Sequence, residues 1–203
     1  MPRRLPAVER TNQILDAAIS EFARLGFEGA RMDDIARAAG LSKGSLYLHF
    51  KSKDALIEGL LDRIFTDNVA LLDSLVASNA NATGLIPMLF RGMAMEMAQL
   101  KPLLPIWFEF YAIAGRAPAI RDRLAGHFAR FRGALAAVVE RGVASGEFRP
   151  VPAEDVAIVI AAELEGIAIL WAVDPASVDP ERHLQSACDL LLAALQSHGE
   201  PHA

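Results

Sequence analysis

The stretch Met32 to Lys53, MDDIARAAGLSKGSLYLHFKSK, constrains this chain more than any other, because packing alone does not explain its residue choices. Ile35 and Ala36 open a short helix that ends at Ala39, and Gly40 supplies the left-handed residue that lets the chain reverse. Ser42 is a good N-cap for a second helix directly after it. Leu46 and Phe50 lie four residues apart and share the face that docks this helix on the first. With Leu46 inward, about 100° per residue places Gly44, Leu48 and Lys51 on the opposite side, flanked by Ser45 and Tyr47. Gly44 permits close backbone approach, Ser45 and Tyr47 offer hydroxyls, and Leu48 suits a thymine methyl. Lys43, Lys51 and Lys53 suit phosphates or guanine edges. No acidic residue falls between Gly40 and Lys53. Two helices around a glycine turn, the second cationic and rich in hydroxyls, form the helix-turn-helix pattern that lays its second helix in the major groove.

The run DDIARAAGLSKGSLYLHFKSKDAL resembles the N-terminal DNA-binding domain of the TetR family of transcriptional repressors. The matching positions are Gly40, Ser42-Lys43-Gly44-Ser45-Leu46-Tyr47, His49-Phe50 and Lys53. The resemblance covers about Val8 to Leu61; the rest of the chain is similar in length, helix content and, loosely, C-terminal pattern. It implies that Lys43, Gly44, Ser45, Tyr47 and Leu48 face bases and that His49, Lys51 and Lys53 hold phosphates, with Ser42 at the head of the same surface. Two positions depart from the pattern. Arg31 stands where the family usually has a capping Ser or Thr, and Leu48 is apolar where many members carry a polar or aromatic reader.

The chain's formal net charge of -5 is unevenly divided. Residues 1–55 hold nine Lys/Arg against seven Asp/Glu, a net +2, whereas the remainder holds eleven against eighteen, a net -7. Local charge governs DNA contact, and an acidic remainder repels the duplex where it is not meant to touch. At 203 residues, with 53% hydrophobic and 22% charged residues, the chain suits one large or two small globular domains. A single Cys188 excludes an internal disulfide. The N-terminus MPRRLPAVER lacks a signal-peptide core, and no uninterrupted apolar run of about 18 residues points to a membrane span. The expectation is a cytoplasmic protein that does not bind membranes.

Pro2 to Pro6 reads as a solvated arm, with phosphate contact by Arg3 and Arg4 the alternative. Ala7 to Leu25 carries Ile14, Leu15, Ala18, Ile19 and Phe22 at helical spacing and is closed by Gly26. Ser52 caps a long helix with a stripe of Leu56, Leu60, Ile64, Leu71, Leu72 and Leu75, running to about Ser78. At 1.5 Å per residue that is a rod of roughly 39 Å, long enough to leave one bundle and enter another. Asn79 to Gly84 reads as a linker. A helix from Leu85 to Leu100 follows, with Pro87 in its first turn. Further helices are expected over Leu104 to Ala114, Pro118 to about Ser145, Ala153 to Val173, and about Glu181 to Ser197, with loops at Gly146 to Pro152 and DPASVDP. No stretch alternates with period two. The predicted fold is all-α, about nine helices: a helix-turn-helix domain over 1–55, joined through the helix from Lys53 to a larger helical domain over 56–203.

Methionines and aromatics gather in the second half, as either plain core or the lining of a ligand pocket. The pocket candidates are Met93, Met97, Trp107, Phe110, Tyr111, His127 and Phe131. Arg91, Glu96, Glu109 and Arg116 join Tyr111 and His127 as its polar orienting groups. The resemblance implies a ligand cavity in this bundle and dimerisation through the last two helices, with Ala162, Gly166, Leu170, Leu184, Leu191 and Leu195 at the contact. Composition agrees, since small Ala161, Ala162, Gly166 and Ala168 allow close helix approach. Glu163 and Glu165 interrupt that apolar helix and face solvent, pocket or interface.

No metal spacing appears among the histidines at 49, 127, 183, 198 and 202, nor a GxSxG elbow or a GxxxxGK[ST] loop. Neither catalysis nor a cofactor is expected. The expected function is a homodimeric regulator, read as a repressor, that holds a palindromic operator and releases it on binding a small, largely apolar effector. The alternative is a helical small-molecule binding protein with no operator.

Overall fold

A computed structural model describes residues 6–78, 80–100 and 104–196; within these, the side chains of 65–75, 99–100 and 105 lie outside the description. Arg3 and Arg4, the stripe residues Leu71, Leu72 and Leu75, Pro102 and the helix end at Ser197 therefore fall outside the described features. The described residues form nine helices. They are α1 (Ala7–Gly29), α2 (Met32–Ala38), α3 (Lys43–His49), α4 (Lys53–Ala77), α5 (Ala82–Leu100), α6 (Leu104–Ala114), α7 (Pro118–Ala144), α8 (Ala153–Val173) and α9 (Pro180–Leu195). Among the described residues there is no strand, only an isolated bridge between Phe148 and Gln196.

The helices gather into two compact units, one of residues 1–66 with 102–125, the other of 67–101 with 126–203. Chain order does not divide them at residue 55: α6 and the start of α7 join α1 to α3. In this first unit, Ile14, Leu15, Ala18 and Phe22 of α1 are buried with Ile35 of α2, Leu46 of α3, and Leu56, Ile57 and Leu60 of α4. The isoleucine, leucine and phenylalanine side chains among these each contribute roughly 1.5–3 kcal/mol on full burial. The predicted stop at Gly26 is present as a break inside α1, with φ 69° and ψ 164°, after which Phe27 to Gly29 form one more turn.

In the second unit α9 packs mainly on α5 and also on α8. Here the predicted linker proves too long, because α5 already starts at Ala82. The reason is a distant cap. Glu147 accepts hydrogen bonds from the N–H groups of Ala82 (3.2 Å) and Thr83 (2.8 Å) and from Ser145 Oγ (2.8 Å), while Asn81 Oδ1 accepts from Gly84 N–H at 3.0 Å. Pro87 consequently lies inside α5 rather than in its first turn and deprives the helix of one internal bond. Phe148, adjacent to this cap, is buried against Gly142, where a Cβ would come within 2.2 Å of its ring. Arg149 then ties the loop to the end of α9, through N–H to Leu195 O (2.9 Å) and Nε to Ala194 O (2.7 Å).

The Thr83 N–H above all, with Ser145 Oγ and Ala82 N–H, holds the Glu147 carboxyl down at about pKa 2, against an ordinary 4.5. A carboxylate depressed in the folded state stabilises fully above its ordinary pKa, and the contribution disappears as pH falls through the folded value. Between pH 5 and pH 2.5 the wild-type urea midpoint is therefore expected to fall more steeply than that of Glu147→Gln. The variant should start lower at neutral pH, and parallel curves would remove Glu147 from the account.

Candidate nucleic-acid interface

Helix α3 is held from one side only. Ser42 Oγ accepts from Ser45 N–H at 3.2 Å and caps its start, leaving Arg31 at the head of α2 without any side-chain cap bond. Gly40 makes the turn at φ 66°, and Gln13 Nε2 of α1 donates to Ala39 O at 2.8 Å, closing the end of α2. Leu46 is fully buried and Phe50 nearly so, with the Phe50 ring over Gly59 of α4, where a Cβ would approach it to 2.8 Å. The opposite face lies open. Leu48 is 77% exposed; Ser42, Lys43, Gly44, His49 and Lys51 are exposed, and Ser45 and Tyr47 half-buried. A Cβ added at Gly44 would meet nothing within 4 Å, so nothing in the chain's own packing requires glycine there.

Charge on this surface is partly compensated. Between Arg31 and Lys53 there are five cations and two acids. Arg37 pairs with Asp34 at 3.2 Å. Lys43 Nζ lies 2.9 Å from Asp33 Oδ1 and 3.1 Å from Oδ2, and the hydrogen bond to Asp33 raises the lysine's pKa. Lys51 is exposed directly after α3.

Lys53, expected on a phosphate, has another role. Its ammonium donates to Phe27 O (2.6 Å), Ala30 O (3.1 Å) and Glu28 O (3.3 Å) and sits 4.3 Å above the Phe27 ring. Carbonyls at a helix end lack internal partners and attract cations, and the reach from the start of α4 to the end of α1 suits a lysine. Glu109 of α6, expected to orient a ligand, grips the same corner from the other side by accepting from Phe27 N–H at 2.6 Å. Arg116 adds an ion pair with Glu28. No local sequence signal marks these three contacts, nor Asp33, because each partner lies ten to almost ninety residues away.

Residues 14–60 match the family model described as bacterial regulatory proteins, tetR family, and residues 94–196, half of the chain, match that of the BetI-type transcriptional repressor, C-terminal. The chain belongs to the TetR family. Among relatives of this TetR-family regulator, the HTH-type transcriptional repressor KstR2 of Mycolicibacterium smegmatis is 27% identical over 199 residues, 96% of this chain and 95% of its own. The fold is similar to that of a transcriptional regulator from Pseudomonas aeruginosa PAO1, with a TM-score of 0.83 and 24% identity, covering 94% of this chain and 91% of that one. It is also similar to FadR from Bacillus subtilis, solved in complex with stearoyl-CoA, with a TM-score of 0.77 and 18% identity over 91% and 99% of the two chains.

The expected effector residues of this TetR-family chain fall into two groups. Trp107, Phe110 and Tyr111 belong to the first compact unit, where Trp107 meets the other two rings edge-on at 6.1 Å. Met93, Met97, His127 and Phe131 belong to the second. His127 is buried and stacks on Phe131 at 6.4 Å; burial above all, and Arg130, bring its pKa down to about 4. The same unit contains a small apolar gap of about 10 Å³, lined by Val76, Leu85, Ile86, Leu89, Ala134, Leu135, Val138, Val139 and Ile160. Sequence reasoning missed it, since aliphatic core and aliphatic lining have the same pattern.

The expected dimer residues need correction on α9. Leu184, Leu191 and Leu195 are buried with Cys188 inside the chain's own core, because an apolar stripe looks the same whether it faces a neighbouring helix or a second copy. Leu190, 73% exposed, is the large apolar residue that α9 presents outward. On α8, Ala162 is exposed, Gly166 half-buried and Leu170 59% exposed, alongside exposed Ile158, Val159, Ile169 and Val173. By length and composition α8 is apolar enough to cross a membrane, with a mean hydropathy of 2.2 over its best 18 residues. Glu163 on this helix is half-buried, and burial raises its pKa.

These contacts separate two lysines that the sequence treats alike. Replacing Lys51 with Ala should weaken DNA binding and reduce the slope of log K against log salt by about 0.9, one phosphate's worth. Lys53→Ala should instead lower the melting temperature and weaken binding at unchanged slope. A reduced slope for Lys53→Ala would return it to the phosphates.

Proposed function

We propose that this protein is a ligand-responsive transcriptional repressor, acting in the cytoplasm as a homodimer on a palindromic operator. The observation that carries this reading is the outer face of α3. Gly44, Ser45, Tyr47 and Leu48 are presented outward by a capped helix whose inner face, Leu46 and Phe50, is sealed in the core. In a protein that only bound small molecules, an exposed Leu48 and an unconstrained helical glycine at its tip would have no task. Two such helices, one per subunit, would enter successive major grooves about 34–36 Å apart. Lys43, Ser45, Tyr47 and Leu48 would meet base edges, with His49 and Lys51 on phosphates.

Support for repression and release comes from relatives: KstR2 is described as a repressor, and FadR was solved with stearoyl-CoA. The buried aliphatic and aromatic side chains of the second unit, Met97, Phe90 and Phe131 among them, favour a largely apolar effector, and buried, neutral His127 beside Phe131 is a hydrogen-bonding group suited to orient one. Release follows from linkage. An effector that prefers a conformation with badly spaced reading helices weakens operator binding, and the operator weakens effector binding by the same factor. The exposed apolar residues of α8 are the surface the second subunit would cover.

Gly44→Ala tests the reading. The added methyl meets no protein atom, and alanine is the better helix former by up to about 1 kcal/mol, so the melting temperature should hold or rise. Affinity for the duplex that the wild-type protein selects from a random pool should nevertheless drop at least tenfold in a mobility-shift assay. Unchanged affinity would show that α3 does not approach the bases, and failure of the wild type to select any duplex would end the regulator reading altogether.

A further inference from the structure

The ion pair between Lys43 and Asp33 joins the starts of α3 and α2. Both oxygens of the carboxylate lie within 3.1 Å of the ammonium, and both side chains are more than half exposed, at 63% and 54%. Nothing in the core depends on it. An exposed pair of this kind contributes little to stability. Its position is what gives it a consequence, because Lys43 is the first residue of the reading helix and Asp33 lies in the first turn of the helix before it.

We propose that Asp33 is an affinity-setting residue of the DNA interface: a built-in counterion that competes with the duplex for the Lys43 ammonium, which meets a base edge on the operator and a phosphate on any other duplex. The proposal rests on the regulator reading above. A lysine that reaches a phosphate displaces a condensed cation, and that release drives binding. Lys43 must first leave Asp33, whose carboxylate then stands bare beside the duplex. The two side chains together bring no net charge to the phosphates, so Lys43 contributes little to the net release while Asp33 is present. The carboxylate also remains beside a polyanion, and its repulsion weakens binding wherever the duplex lies on this face. Asp34 differs, since it holds Arg37 within the same helix.

The test uses the full chain and a 30-base-pair duplex of mixed random sequence, with affinity measured by fluorescence anisotropy across a salt series. Asp33→Asn should bind about three- to fivefold more tightly than wild type near 0.1 M salt, and its slope of log K against log salt should be steeper by about 0.9. Asp33→Ser should do the same, which guards against a folding effect peculiar to one variant. The decisive arm repeats the substitution in a Lys43→Gln background, where most of the gain and of the extra slope should vanish, leaving only what the carboxylate's own repulsion costs. A gain of equal size in that background would mean that Asp33 acts as general charge and would overturn the proposal. Weaker binding or an unchanged slope in both Asp33 variants would do so as well, by making the carboxylate a support for Lys43. If the wild type bound no duplex at any salt, the regulator reading itself would fall, a result distinct from any difference between variants.

Discussion

Five backbone residues at the end of α1, Gly26 to Ala30, depend on two charged side chains that reach them from elsewhere in the fold. Gly26 leaves the helical path at φ 69°, which strands the Phe27 N–H on one side and a set of carbonyls on the other. Glu109 takes the N–H; Lys53 takes three carbonyls. A carboxylate on the donor and an ammonium on the acceptors give charge-assisted bonds, stronger than neutral ones. The corner they fix leads directly into α2, and α2 seats α3. The orientation of the reading face is thus set by side chains that do not belong to it.

This division explains what was legible in advance. Ser42, Gly40, Leu46 and Phe50 act on neighbours within a few residues, where spacing and capping chemistry decide the outcome, so the turn, the cap and the two faces of α3 could be read directly. Lys53 and Glu109 could not, since a sequence shows that a lysine follows a recognition helix but not that three carbonyls wait for it 23 to 26 residues upstream. Glu147 is the same case in the second unit: its cap lies 64 and 65 residues from the amides it receives, and the local reading placed the start of α5 too late. Long-range polar contacts relocate helix ends that local rules place by composition.

Apolar residues pose the opposite difficulty, because their pattern states that a face is covered without stating by what. The stripe Leu184, Cys188, Leu191, Leu195 on α9 is covered by the chain itself. On α8 the apolar character runs round most of the helix, and one chain covers only part of it: Ala157, Ile160, Leu164 and Trp171 are buried while Ile158, Val159, Leu170 and Val173 are not. Periodicity separates the two helices only in this sense. An amphipathic helix is satisfied by one neighbour, whereas one that is apolar all round needs cover on a second side, and on α8 that second side stays exposed in the folded chain.

Charge compensation then determines what kind of reader this can be. The first 55 residues carry a net charge of only +2; of the cations nearest α3, Arg37 and Lys43 hold carboxylates and Lys53 holds the α1 corner. Sequence-independent affinity scales with the phosphates neutralised, so a surface with few uncommitted cations gains little from DNA as such. On the proposed reading, discrimination comes from uncharged contacts made only in register: the backbone approach at Gly44, the hydroxyls of Ser45 and Tyr47, and the exposed methyls of Leu48. On the same reading, a protein with an acidic body and a sparing reader binds random duplex weakly, so competing sites draw little of it from the operator and the effector must supply the whole bias that clears it.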